Sequence, residues 1–124
     1  MTTSILNSTK EKLGVQASYT VFDNQIIDFI NGVFSTVAQL GIGPPDGFEI
    51  VDDTAEWDDI LVSNKHLNAV KSYVFLKVRQ LFDPPTTGYL VTAMEEQIRG
   101  LEWRLNVYRE EAAWVPPVTP DEDL

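Results

Sequence analysis

The chain has no cysteine and a single histidine in its 124 residues. A disulfide framework, thiolate nucleophiles and Cys-based zinc sites are thereby excluded, and the lack of cysteine suits a reducing compartment. With His66 alone, neither a His/Cys metal site nor a Cys–His pair can be assembled. A Ser–His–Asp arrangement is formally open, but no G-x-S-x-G turn accompanies it, and His66 reads as a polar residue near a helix start. Long apolar runs are also missing. None approaches the roughly 18 residues that a membrane span requires. The opening "MTTSILNSTKEKLG" lacks the basic and apolar regions of a secretory signal.

Basic residues are scarce. Nine Lys and Arg stand against nineteen Asp and Glu, a net charge of −10. Gripping nucleic acid requires clustered Lys and Arg to displace counterions, so that function is disfavoured. Arg99, Arg104 and Arg109 are interrupted by acids and form no such stripe. The acids Asp52, Asp53, Glu56, Asp58 and Asp59 do not follow the EF-hand spacing and read as helix-start carboxylates. "GIGPPDG" lacks both a dinucleotide fingerprint and a phosphate-loop lysine, and reads as a turn. No metal, cofactor or catalytic residue is expected.

What remains is helix. The fold class expected is all-α, a small bundle of about four helices, roughly 4–13, 23–40, 65–82 and 86–111. A short helical turn near 54–61 and a short extended segment near 48–51 join the second helix to the third. Residues 1–111 form one helical domain, and the Pro-rich acidic stretch 112–124 forms a tail that cannot continue the helix and is flexible until docked. Ser4 caps the first helix and Gly14 ends it. "VQASYTVF" is a connector. Asp23 caps the second helix, with Phe22 stapled onto Ile27. Ile26, Ile30, Val33, Val37 and Leu40 mark its inner face, and Gly41 closes it. Gly32 within it predicts a close helix crossing. Asp53 and Glu56 have capping-box spacing ahead of Trp57, Ile60 and Leu61, with Trp57 in the core. Ser63 or Asn64 caps the third helix.

That third helix is apolar on most sides. Val70, Val74, Val78 and Leu81 share one face, while Phe75 and Leu76 point away from it. A second covering surface is needed, and a neighbouring subunit is the natural one. After Asp83-Pro84-Pro85, Thr86 or Thr87 caps the fourth helix, whose stripe is Leu90, Met94, Ile98, Leu101, Leu105 and Tyr108. Glu95 and Arg99 are placed as an exposed i, i+4 pair. Trp103 lies off the stripe and Trp114 lies in the tail; each is either an intersubunit anchor or an ordinary packing aromatic.

In order and spacing, "FDNQIIDFINGVFSTVAQLGIGP", "EWDDIL" and "AVKSYVFLKVRQLFDPPTTGYLVTAMEEQIRGLEWRLNV" resemble the small head-to-tail connector (adaptor) proteins of long-tailed double-stranded DNA bacteriophages. The likeness spans most of residues 4–110, and no match is made for the acidic tail after Trp114. The resemblance implies a mostly helical virion protein without enzymatic activity, cofactor or membrane association. Such proteins form a homo-oligomeric ring, commonly a dodecamer, beneath the portal protein. The ring extends the DNA channel, lets DNA pass without specific binding, and receives a stopper or tail-completion protein. The location implied is the head–tail junction of the virion, and the host cytoplasm during assembly. Phe75, Leu76, Trp103 and Trp114 are the expected intersubunit or portal contacts. The alternative is a small cytosolic helical interaction or regulatory module that dimerises through the third and fourth helices.

Overall fold

The computed structural model describes residues 4–42, 44, 47–60 and 67–113. These form α1 (Ile5–Lys12), α2 (Asp23–Gln39), α3 (Trp57–Ile60), α4 (Leu67–Phe82) and α5 (Gly88–Ala113). Among the described residues there is no strand, and the all-α expectation holds. The expected Ser63 or Asn64 cap, the start of the third helix at 65–66, Leu61, His66, Trp114 and the rest of the tail lie outside the described residues.

The Ser4 hydroxyl caps α1, accepting the Asn7 backbone N–H at 3.2 Å. Gly14 follows with φ 78°, the left-handed conformation that glycine adopts without steric cost. Between Gly14 and α2 the connector is held by a side chain that patterning would place in solvent. Lys10 is fully buried. Its ammonium donates to the carbonyls of Ala17 at 2.9 Å and Tyr19 at 2.7 Å, and pairs with Asp23 Oδ1 at 2.7 Å. Asp23 is thus the first residue of α2 rather than its cap; Phe22 holds the cap position and makes no side-chain cap bond. The carboxylate is drawn to Lys10 because a buried ammonium demands a counter-charge. Phe22, the expected staple on Ile27, meets Phe82 edge-on at 5.3 Å.

Ile26, Ile30, Val33 and Val37 are buried along α2, as their spacing predicts, and Ile27 and Phe34 join them. Gly32 has nothing within 4 Å of where a Cβ would stand, so the expected close crossing does not occur there. Gly41 does meet a close neighbour: it has φ 81°, and a Cβ would lie 2.9 Å from Cδ of Arg109. Residues 48–51 do not pair as a strand. The Asn31 side chain instead donates to the Ile50 carbonyl at 2.9 Å and accepts the Ile50 N–H at 2.8 Å, satisfying both backbone groups of a buried residue. Before α3 the Glu56 N–H donates to the Asp59 carboxylate at 2.8 Å, so capping falls three residues later than the Asp53/Glu56 spacing suggested. Trp57 is core, as expected, and its indole N–H donates to the Ser8 hydroxyl at 2.8 Å.

α4 is the central helix, packing against α1, α2 and α5. Val70, Tyr73, Val74 and Val78 are buried on it. The inner stripe of α5 is Met94, Ile98 and Leu105, with Leu101 and Tyr108 half-buried. Two expected core residues are not core: Leu81 is 52% exposed and Leu90 is 50% exposed. The last buried residue of α4 is Val78 and the first of α5 is Met94, so the end of the α4–α5 hairpin overhangs the core. Thr87 takes the cap position, its carbonyl accepting the Val91 N–H at 3.0 Å. α5 has 26 residues, about 39 Å at 1.5 Å per residue. It runs through Ala112 and Ala113, which the expected tail excluded. Alanine is the best helix former, and the restriction imposed by Pro116 falls on Val115, not earlier.

Candidate assembly surface

Among the described residues, no group of three or more His, Cys, Asp or Glu side chains could hold a metal ion. No described helix is long and apolar enough to cross a membrane. Exposed apolar and charged surfaces are the features that stand out. They begin with the residues that patterning left without a partner.

Phe75 finds cover within its own chain. Its ring meets Trp57 edge-on at 5.6 Å, and the Lys12 ammonium lies 5.8 Å from its centroid. Trp57 in turn meets Phe34 edge-on at 6.3 Å and carries the Lys71 ammonium 5.7 Å from its ring. The second face of α4 is thus covered in part by α3, an element whose packing the spacing of α4 alone could not reveal.

Leu76 lies elsewhere. With Ser72, Ala93, Gln97, Gly100 and Leu101 it lines an open groove of about 690 Å³ between α4 and α5. The small side chains of α5 create this hollow, and nothing stands within 4 Å of a Cβ position on Gly100. Glu96 and Arg104 place one charge of each sign at its edge. Trp103, on the same helix, is 67% exposed. Leu76 and Trp103 are therefore both at the α4–α5 surface, Phe75 is a packed aromatic facing α3, and Trp114 lies outside the described residues.

A second apolar surface was not singled out by patterning. Tyr19, Val21 and Phe22 of the α1–α2 connector are exposed, as are Leu81, Tyr89 and Leu90 around the α4–α5 turn. Tyr19 meets Phe22 edge-on at 5.8 Å, and Phe22 meets Phe82, which joins the connector to the end of α4. The signal that could have found it is the coincidence of a connector rich in aromatics with a hairpin end flanked by apolar residues.

Charge is distributed unevenly around these surfaces. From Gly47 to Ile60 there are six acids and no base, all six exposed. The Asp52 carboxylate is held below its ordinary range by the Thr54 hydroxyl, then by the Thr54 backbone N–H. α4 carries Lys71, Lys77 and Arg79 and no acid. Between α4 and α5, the Tyr73 hydroxyl donates to Glu102 Oε2 at 2.8 Å. Burial, and then that carboxylate, push the Tyr73 phenol above its ordinary range.

The family model described as "Phage connector protein" matches residues 5–112. The chain belongs to the phage connector protein family. Every described helix lies in the matched span apart from the final residue of α5. No curated protein and no solved structure matches the chain. As a phage connector it is a member of a structural family and a component of the phage particle.

Proposed function

We propose that this connector assembles as a ring, dodecameric like those it resembles, beneath the portal protein of the DNA-filled head. The ring extends the DNA channel and presents the surface that receives a stopper or tail-completion protein. The family match over residues 5–112 carries this reading. The uncovered apolar surface of the subunit supports it, because Trp103 and the Leu76 groove are left for neighbouring subunits or the portal to bury. A net charge of −10 suits a wall past which DNA slides without being held. Phe75 and Trp114 complete the proposed contact set, Phe75 through the part of its ring that Trp57 leaves open. In this reading residues 1–111 are the ring-forming body, and the stretch beyond them docks on the portal.

Phage particles made without the chain test the role. DNA-filled heads lacking tails are expected, and purified complete virions should contain the chain in stoichiometric amount. Intact tailed particles, with an effect on expression alone, would instead identify a regulatory module.

A further inference from the structure

We infer that copies of this chain meet head to tail, the aromatic connector-and-hairpin patch of one copy seating the acidic 49–53 segment of the next. The inference rests on the ring reading above and names the two faces that such a ring would use.

The seat is built rather than incidental. Tyr19 and Phe22 are held because Lys10, buried and bonded to the Ala17 and Tyr19 carbonyls and to Asp23, fixes the connector onto α1 and α2. Phe22 then stacks edge-on against Phe82, beside the exposed Leu81, Tyr89 and Leu90. Its flanking charge is basic. Lys77 lies one helical turn before Leu81 and Arg79 one turn before Phe82, while the first two turns of α5, residues 88–94, contain no acid. Asp83 is the acid in the α4–α5 turn. On a chain carrying −10, such a region is where a second acidic copy can approach at least cost.

The occupant is recognised by the complementary pattern. Residues 49–53 read Glu-Ile-Val-Asp-Asp, with Ile50 buried and clasped by Asn31, and with Val51 83% exposed between acids. An exposed apolar side chain flanked by carboxylates, on a backbone already fixed, matches an apolar seat flanked by Lys77 and Arg79. The two faces lie at opposite ends of α1. The Ser4 hydroxyl donates to the Asp53 carbonyl at one end, and Lys10 grips the aromatic connector at the other. Ser4 and Lys10 are separated by about 9 Å of helix rise. Two distinct, non-overlapping faces make a heterologous contact, which propagates and closes into a ring when its rotation permits. The α4–α5 groove and Trp103 are then left for the portal or the tail.

The absence of native cysteine allows a direct test. Val51→Cys and Leu81→Cys are introduced together, both at exposed positions, and assembled particles are oxidised. A ladder of disulfide-linked multimers is expected from the double variant and not from either single variant. Particles that contain the chain but yield no ladder, or dimers from a single variant, overturn the contact while leaving the connector role standing. Particles that lack the chain overturn the connector role; oxidation of the purified double variant then decides the contact alone, with a ladder supporting it and its absence rejecting it. As a second readout, Arg79→Glu should reduce the ladder severalfold in the double-cysteine chain, and adding Asp53→Arg should restore it. Failure of that rescue counts against the pairing.

Discussion

At the scale of single residues, the most consequential group is Lys10. Its ammonium has no solvent exposure and holds three acceptors from the connector and from α2. Replacing it with methionine keeps most of the volume but strands two carbonyls and a carboxylate that is itself largely buried. Breaking a buried pair in this way costs on the order of 3 kcal/mol. Lys10→Met should therefore lower the urea midpoint markedly without changing the denaturant slope, as equilibrium unfolding followed by circular dichroism would report. Nothing in the pattern around Lys10 announces this. Lysine is read as solvent-facing, and its burial follows from where the turn after Gly14 sends the chain, a tertiary fact. Asn31 was illegible for the same reason: its partner Ile50 is nineteen positions away, and neither belongs to a local motif.

Individual elements were easier to read. α1, α2, α4 and α5 were legible because apolar residues recur at helical spacing and because Ser4, Gly14, Gly41 and the Asp83-Pro84-Pro85 break mark their ends. Their inner faces were legible only where a partner helix reaches. Leu81 and Leu90 continue the stripes of α4 and α5 in register, yet both are half exposed at the hairpin end, beyond the last buried residues Val78 and Met94. Phe75 errs in the opposite direction, since the cover expected from a neighbour comes in part from Trp57. Between α4 and α5, the Tyr73–Glu102 bond ties a buried phenol to a half-buried carboxylate. The phenol is raised above its ordinary value in the folded chain, so it stays protonated where the unfolded chain would ionise. Its contribution is intact below the unfolded value of about 10 and is lost as pH rises beyond it. Thermal unfolding monitored across alkaline pH should show the decline. Tyr73→Phe should make the decline shallower, while lowering stability at neutral pH by about 1 kcal/mol for the lost hydrogen bond.

For the whole molecule, the subunit buries a good core and still leaves large apolar side chains at two separate places. That is the arrangement expected of a part made to be assembled. Membership of the connector family was legible from order and spacing across the helices, whereas the faces that would meet neighbours were only partly so. Of the contact residues anticipated, Leu76 and Trp103 are at an open surface, and the aromatic patch around Phe22 was overlooked because its members come from three different elements. The tail can be tested at this scale. A chain ending at Glu110 keeps Met94, Ile98 and Leu105, the buried stripe among the described residues of α5, and should fold, but it should not attach to portal-bearing heads in a co-sedimentation assay. Undiminished attachment would assign portal docking to the helical body instead.

The Asn31 clasp has a consequence for how the subunit survives before it is assembled. Residues 47–55 form no helix and no strand, and their acids lie at the surface, which is the profile of a segment open to proteolytic nicking. A protease, however, must draw several residues of extended backbone into its cleft. Ile50, anchored through both its N–H and its carbonyl with its side chain in the core, keeps that backbone from being drawn out. The chain can thus display an exposed, charged strip and still deny cleavage there.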